Sequence, residues 1–142
     1  MQDYIAMQKL WYDVHLAQIE VVGSSEFITA SAKIYVCDDL IDGLIRQIER
    51  FVNGEVSEAY WANEQKGDGS TTCVALRFMH KDRLGHVLIE VFMELDDGGS
   101  YATHNCCFYV NTEIGQLERF CGKIQILKQD TVGVRIVLND ND

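Results

Sequence analysis

Between Thr72 and Val110 hydrophobic and polar positions alternate with a period of two, and polar joints break the alternation twice. Thr72 to His80 runs into the joint Lys81-Asp-Arg-Leu-Gly85, His86 to Leu95 into Asp96-Asp-Gly-Gly-Ser100, and Tyr101 to Val110 completes the series. β-branched and aromatic residues fill the runs while Gly, Asp and Ser fill the joints, so the pattern predicts a three-stranded antiparallel meander. Upstream, Lys9 to Val22 and Glu26 to Cys37 have the residue types of two further strands, joined by a turn at Gly23-Ser-Ser25. The Ala and Ser residues of the second strand weaken its β signal, and Ile34, Tyr35 and Val36 restore it.

At Asp38 the period changes. Leu40, Ile41, Leu44, Ile45, Ile48, Phe51 and Val52 recur at steps of three and four, with Asp42, Arg46, Glu49 and Arg50 on the other side. This is an amphipathic helix, capped by Asp38 or Asp39 and stopped by Gly54. Val56 to Asn63 is expected to be a short strand or extended arm carrying Trp61, and Lys66 to Ser70 a loop. A second helix is expected from about Thr112, with Ile114, Leu117, Phe120, Cys121, Ile124 and Leu127 on one face. Gly122 weakens its last turns, so Lys123 to Leu127 could instead be a strand paired with Val132 to Leu138. Asn139 to Asp142 is expected to fray.

The two halves echo one another. Ile45-Arg-Gln-Ile-Glu-Arg-Phe51 resembles Ile114-Gly-Gln-Leu-Glu-Arg-Phe120, and each helix follows a strand with Tyr-Val near its end (Tyr35-Val36 and Tyr109-Val110). A duplicated strand–strand–helix unit would explain this, as would convergence of two helices on the same task of covering a sheet. The fold expected is a single α+β domain spanning residues 1–142: a largely antiparallel curved sheet covered by two amphipathic helices.

Composition narrows the classes. At 142 residues with 47% hydrophobic and 24% charged positions, the chain suits one globular core. Proline is absent, the apolar runs are too short for a bilayer, and Met1 to Leu10 lacks a secretory pattern, so a cytoplasmic protein is expected. Five cysteines without Cys-x-x-Cys spacing read as free thiols in a reducing compartment. The formal charge of −10 disfavours direct contact with nucleic acid and suits steering toward a basic protein.

Candidates for chemistry are few. His80 and His86 flank one hairpin turn, where a simple register brings them together. His104 lies on the next strand, placed roughly opposite Phe92, and Glu90 shares a face with His86. These four are the only grouping that would support a metal-dependent or ligand-binding alternative, and they lack a recognised ligand spacing. Glu90 and Glu94 lie about 13 Å apart at roughly 3.3 Å per strand residue, too far for most glycosidase dyads. No nucleophile elbow or phosphate loop is present. No cofactor and no catalytic residue are assigned. Trp11, Tyr12, Tyr60 and Trp61 form two aromatic clusters, of which an exposed member would be a protein-binding anchor. Glu55, Glu58 and Glu64 lie nearest Trp61, while Asp38, Asp39 and Asp42 form a second acidic set that equally suits helix capping.

From Trp61 through Leu84-Gly-His-Val-Leu-Ile-Glu-Val91 to the helix with Leu117 and Phe120, the order of elements resembles small bacterial immunity proteins of the WapI type. The resemblance covers roughly Trp61 to Leu127. It implies a non-enzymatic protein that neutralises a cognate toxin domain, often a basic nuclease, by direct binding. It transfers no interface residues, since such surfaces track their own toxins. The remaining alternative is a module that oligomerises through an exposed sheet edge.

Overall fold

The computed structural model describes residues 3–64, 71–96, 98 and 104–140. In chain order the elements are β1 (Tyr4–Tyr12), β2 (Ala17–Ser24), β3 (Thr29–Val36), α1 (Asp38–Val52), β4 (Glu58–Ala62) and β5 (Cys73–His80). They continue with β6 (His86–Leu95), β7 (His104–Glu113), α2 (Ile114–Ile124), a 3-10 turn (Gln125–Lys128) and β8 (Arg135–Leu138). The class is α+β, as expected, but the strands form two four-stranded sheets rather than one curved sheet. Their orders are β3-β2-β1-β8 and β4-β5-β6-β7, and every pairing is antiparallel. Alternation along a sequence predicts which consecutive strands pair, but not whether two meanders share an edge.

Both sheets and both helices supply one continuous core. α1 contributes Ile41, Leu44, Ile45, Ile48 and Phe51, and α2 contributes Leu117, Phe120, Cys121 and Ile124. Each fully buried side chain of the Ile or Phe type stabilises the fold by about 1.5–3 kcal/mol. The echo between the halves has a structural counterpart, since each helix follows an antiparallel meander, of three strands (β1 to β3) in the first half and four (β4 to β7) in the second. In both, the Tyr-Val pair splits across the sheet: Tyr35 and Tyr109 face out, Val36 and Val110 face the core.

Four local expectations change, the first at α1, where Cys37 takes the N-cap position and no side chain caps the helix. The single strand drawn from Lys9 to Val22 is two strands, because Asp13 organises a turn in the middle: its Oδ1 accepts the amides of His15 (2.7 Å) and Leu16 (2.8 Å). Gly23 lies inside β2, not in a turn, and a Cβ there would sit 2.8 Å from the Phe108 ring of the opposing sheet. The turn itself falls at residues 25–28, where Ser25 Oγ accepts the amides of Phe27 and Ile28 at 3.2 Å.

The segment following Lys123 is helical with Ile124 and Leu127 buried, as their shared face predicts, so the alternative strand there does not form and β8 pairs with β1. Asn139 does not fray. It is buried with φ of 68°, accepts the Thr112 hydroxyl, and donates to the carbonyls of Asp3 and Asn111 at 2.8 Å each. That amide ties the ends of the two sheets together. Strand β4 carries Trp61, as expected, while the loop expected at residues 66–70 lies outside the described residues.

Candidate functional site

A broad open cleft is assembled at the start of α1. Its formation begins with a bulge in β1. The β1–β2 register slips between Lys9 and Trp11, so Leu10 is the extra residue. A bulge of this kind re-aims the side chains beyond it. Trp11 is thereby set opposite Gln18 on the outer face, 6.5 Å edge-to-face from Tyr35. Tyr12, opposite Ala17, falls on the inner side, with Lys9 Nζ 4.5 Å above its ring.

Three segments then meet around a space of about 620 Å³: the β1–β2 turn, the first residues of α1 and the chain after the 3-10 turn. Asp13, Asp38, Asp39 and Asp130 contribute carboxylates, and Tyr12 and Leu16 contribute apolar wall. Lys9 and Lys128 also line it, yet both are engaged. Lys9 is 3% exposed and donates to the Gln129 carbonyl. Lys128 pairs with Asp42 at 2.6 Å. The charge left facing solvent is therefore acidic. Amide donation from Leu16 and His15 holds the Asp13 carboxyl below its ordinary value, which keeps it ionised.

This arrangement brings together only part of the expected site. Asp38 and Asp39 are exposed and line the cleft; Asp42 reaches its edge through Lys128. Trp61 is corrected from exposed anchor to core residue: it is 7% exposed, its Nε1 donates to the Leu40 carbonyl at 2.9 Å, and its indole lies against Gly43. Glu55 follows the far end of α1, about 20 Å from Asp38 at 1.5 Å rise per residue. Glu58 is held by Arg77 at 2.6 Å on the outer face of the second sheet. Glu64 is exposed beyond β4. Asp13, Asp130 and Val14 to Leu16 were not among the expected site residues, whereas Trp11 and Tyr12 are the expected aromatic cluster whose members stay exposed. Asp13 carried a signal, an Asx-type turn inside a long strand-like run, whereas Asp130 reaches the cleft only through tertiary packing.

The histidine grouping is not brought together. His80 is paired opposite Val87, one position off from His86, so the two rings point to opposite faces. His80 stacks on Phe51 with centroids 4.4 Å apart, and His86 Nδ1 is 2.6 Å from Asp82. His104 pairs with Leu95 rather than lying opposite Phe92, at the other end of β6 from His86. No group of three ligand-type residues with metal-site geometry occurs among the described residues.

Glu90 belongs to a row crossing the second sheet, in register with Arg77 and Tyr109. The Tyr109 hydroxyl donates to it at 3.0 Å, which raises the phenol above its ordinary range. Arg77 lies 3.8 Å away, and its guanidinium sits 5.1 Å over the Tyr60 ring. This is a structural cross-strand network. Burial pushes the Cys121 thiol up to about 11, which suppresses its thiolate at neutral pH.

Comparison with protein-family models, with curated proteins and with solved structures finds no match for this chain. Among the described residues no helix is long and apolar enough to cross a membrane.

Proposed function

We propose that this chain is a non-enzymatic binding protein of the immunity type, which neutralises a basic toxin domain by covering it. One observation carries the reading: carboxylates from three separate segments converge on one open cleft, while the lysines beside them are turned inward or paired. A net charge of −10 extends the same potential over the surface and steers a cationic partner toward it. Asp38 and Asp39 take the partner's basic groups, with Asp13 and Asp130 completing the rim. The order of elements from Trp61 to Leu127, similar to WapI-type immunity proteins, supports the same conclusion.

Co-expression with a basic toxin domain, taken from the gene neighbourhood of this chain, tests the proposal. Rescue of growth is expected. The association rate of the purified pair should fall at least tenfold between low and high salt, as steered encounters do. Failure of rescue, or an association rate insensitive to salt, would overturn the reading.

A further inference from the structure

The tip of the β1–β2 hairpin presents large apolar side chains without covering them. Val14 is 89% exposed, and Trp11, Tyr12 and Leu16 are each exposed by more than a third, with Tyr35 of β3 standing beside Trp11. The turn is well defined, since Asp13 Oδ1 holds two of its amides and Asp13 N donates to the Leu16 carbonyl at 2.8 Å. A rigid apolar tip loses little conformational entropy on docking, which is the property of a good anchor. Val14 and Leu16 line the same cleft as Asp38, Asp39 and Asp130, so apolar and acidic surfaces are contiguous.

We infer that this hairpin tip is the anchoring patch for a partner segment that alternates basic and apolar side chains. The apolar groups seat on Val14, Leu16 and Trp11, and the basic groups enter the cleft. The acidic charge selects this occupant over a second copy of the chain. Two copies meeting here would bring their acidic rims together, each on a body of net charge −10. The inference rests on the proposed function and adds to it a partner chemistry and a set of residues outside the acidic rim.

Short blocked peptides serve as probes, with affinity read by calorimetry on the full chain. One alternates arginine and leucine, one arginine and serine, one glutamine and leucine. The arginine–leucine peptide should bind at least tenfold tighter than either control. Replacing both exposed aliphatics (Val14→Ser with Leu16→Ser) should reduce it to the arginine–serine level while leaving the thermal midpoint unchanged. Asp38→Asn with Asp39→Asn should weaken both arginine peptides. Equal affinity of the two arginine peptides would overturn the hairpin anchor and leave the acidic cleft standing. Equal affinity of the two leucine peptides would overturn the basic partner and the functional reading with it. Absence of any binding would overturn both. A concentration-dependent dimer abolished by the Val14 and Leu16 substitutions would overturn the inference in favour of self-docking.

Discussion

The two tryptophans sit on strands, Trp11 near the end of β1 and Trp61 on β4, each with a tyrosine as sequence neighbour, and their surroundings are opposite. Trp61 is enclosed: its ring packs against the helix at Gly43, and its indole N–H is satisfied by the Leu40 carbonyl. Trp11 leans edge-on against Tyr35 with nearly half its surface in water. Residue type and neighbours do not separate them. The difference arises from one extra residue, Leu10, which turns Trp11 outward, whereas Trp61 faces α1 and is held there by the Leu40 carbonyl. One tryptophan has been used to close the fold, the other is left over for a contact outside it.

The widest separation between them should appear in stability. Trp61→Ala removes a large core side chain, and such truncations cost about 3–5 kcal/mol. Chemical denaturation should show a large drop in midpoint. A loss under about 1 kcal/mol would mean that the pocket collapses around the deletion and that the contrast with Trp11 is weaker than its burial implies.

Two further sites belong with Trp61 on the closed side of the comparison. Gly23→Ala places a methyl 2.8 Å from Phe108 in a packed interior, and overpacking of this kind costs about 1–3 kcal/mol. Combining it with Phe108→Leu should recover part of the loss, which a purely backbone effect at Gly23 would not do. Asn139→Ala leaves the Thr112 hydroxyl and two carbonyls without their partner and costs about 1–3 kcal/mol. Asn139→Gly separates the causes: it relieves the positive φ, worth about 1 kcal/mol, but not the lost hydrogen bonds. Denaturation midpoints of the two variants therefore differ in a stated direction, glycine above alanine.

These sites also mark how far the sequence was legible. The helix from Asp38, the meander from Thr72 and the strand carrying Trp61 were readable because each rests on local periodicity that the core then uses. Gly23 reads as a turn residue in isolation, since only the approach of Phe108 from the other sheet explains it. Asn139 reads as part of a frayed tail, because its three partners lie at positions 3, 111 and 112. Asp38 and Asp39 were legible as exposed acids. Their meeting with Asp13 and Asp130 was not, for it depends on where the β1–β2 turn and the chain after α2 come to rest.

Acid separates the two Asp-organised turns from the core. Asp13 and Asp82 both have lowered carboxyl values, Asp82 chiefly through His86 and the Leu84 amide, Asp13 through the Leu16 and His15 amides. A carboxyl whose folded value is depressed contributes stability that is fully present above its unfolded value, about 3.9. That contribution is lost as pH falls through the lowered folded value. Thermal midpoints of the wild-type chain should thus fall on going below about pH 4. Asp13→Asn and Asp82→Asn keep an oxygen for the amides but carry no titratable charge, so each should flatten part of that fall. Midpoints that drop equally in all three proteins would place the acid sensitivity elsewhere.

The smallest effect is the most informative about Trp11. Trp11→Ala removes an indole that is 46% exposed and makes one edge contact, so the fold should lose no more than about 0.5 kcal/mol. The substitution is expected to be nearly silent in denaturation yet costly in binding, because buried tryptophans at interfaces account for much of the affinity. Affinity for the arginine–leucine peptide, measured beside the denaturation midpoint on the same preparation, gives both numbers. Should Trp11→Ala destabilise the chain as much as Trp61→Ala, the bulge at Leu10 would be a device for packing Tyr35 rather than for presenting an anchor. The apolar rim of the acidic cleft would then be Val14 and Leu16 without the tryptophan.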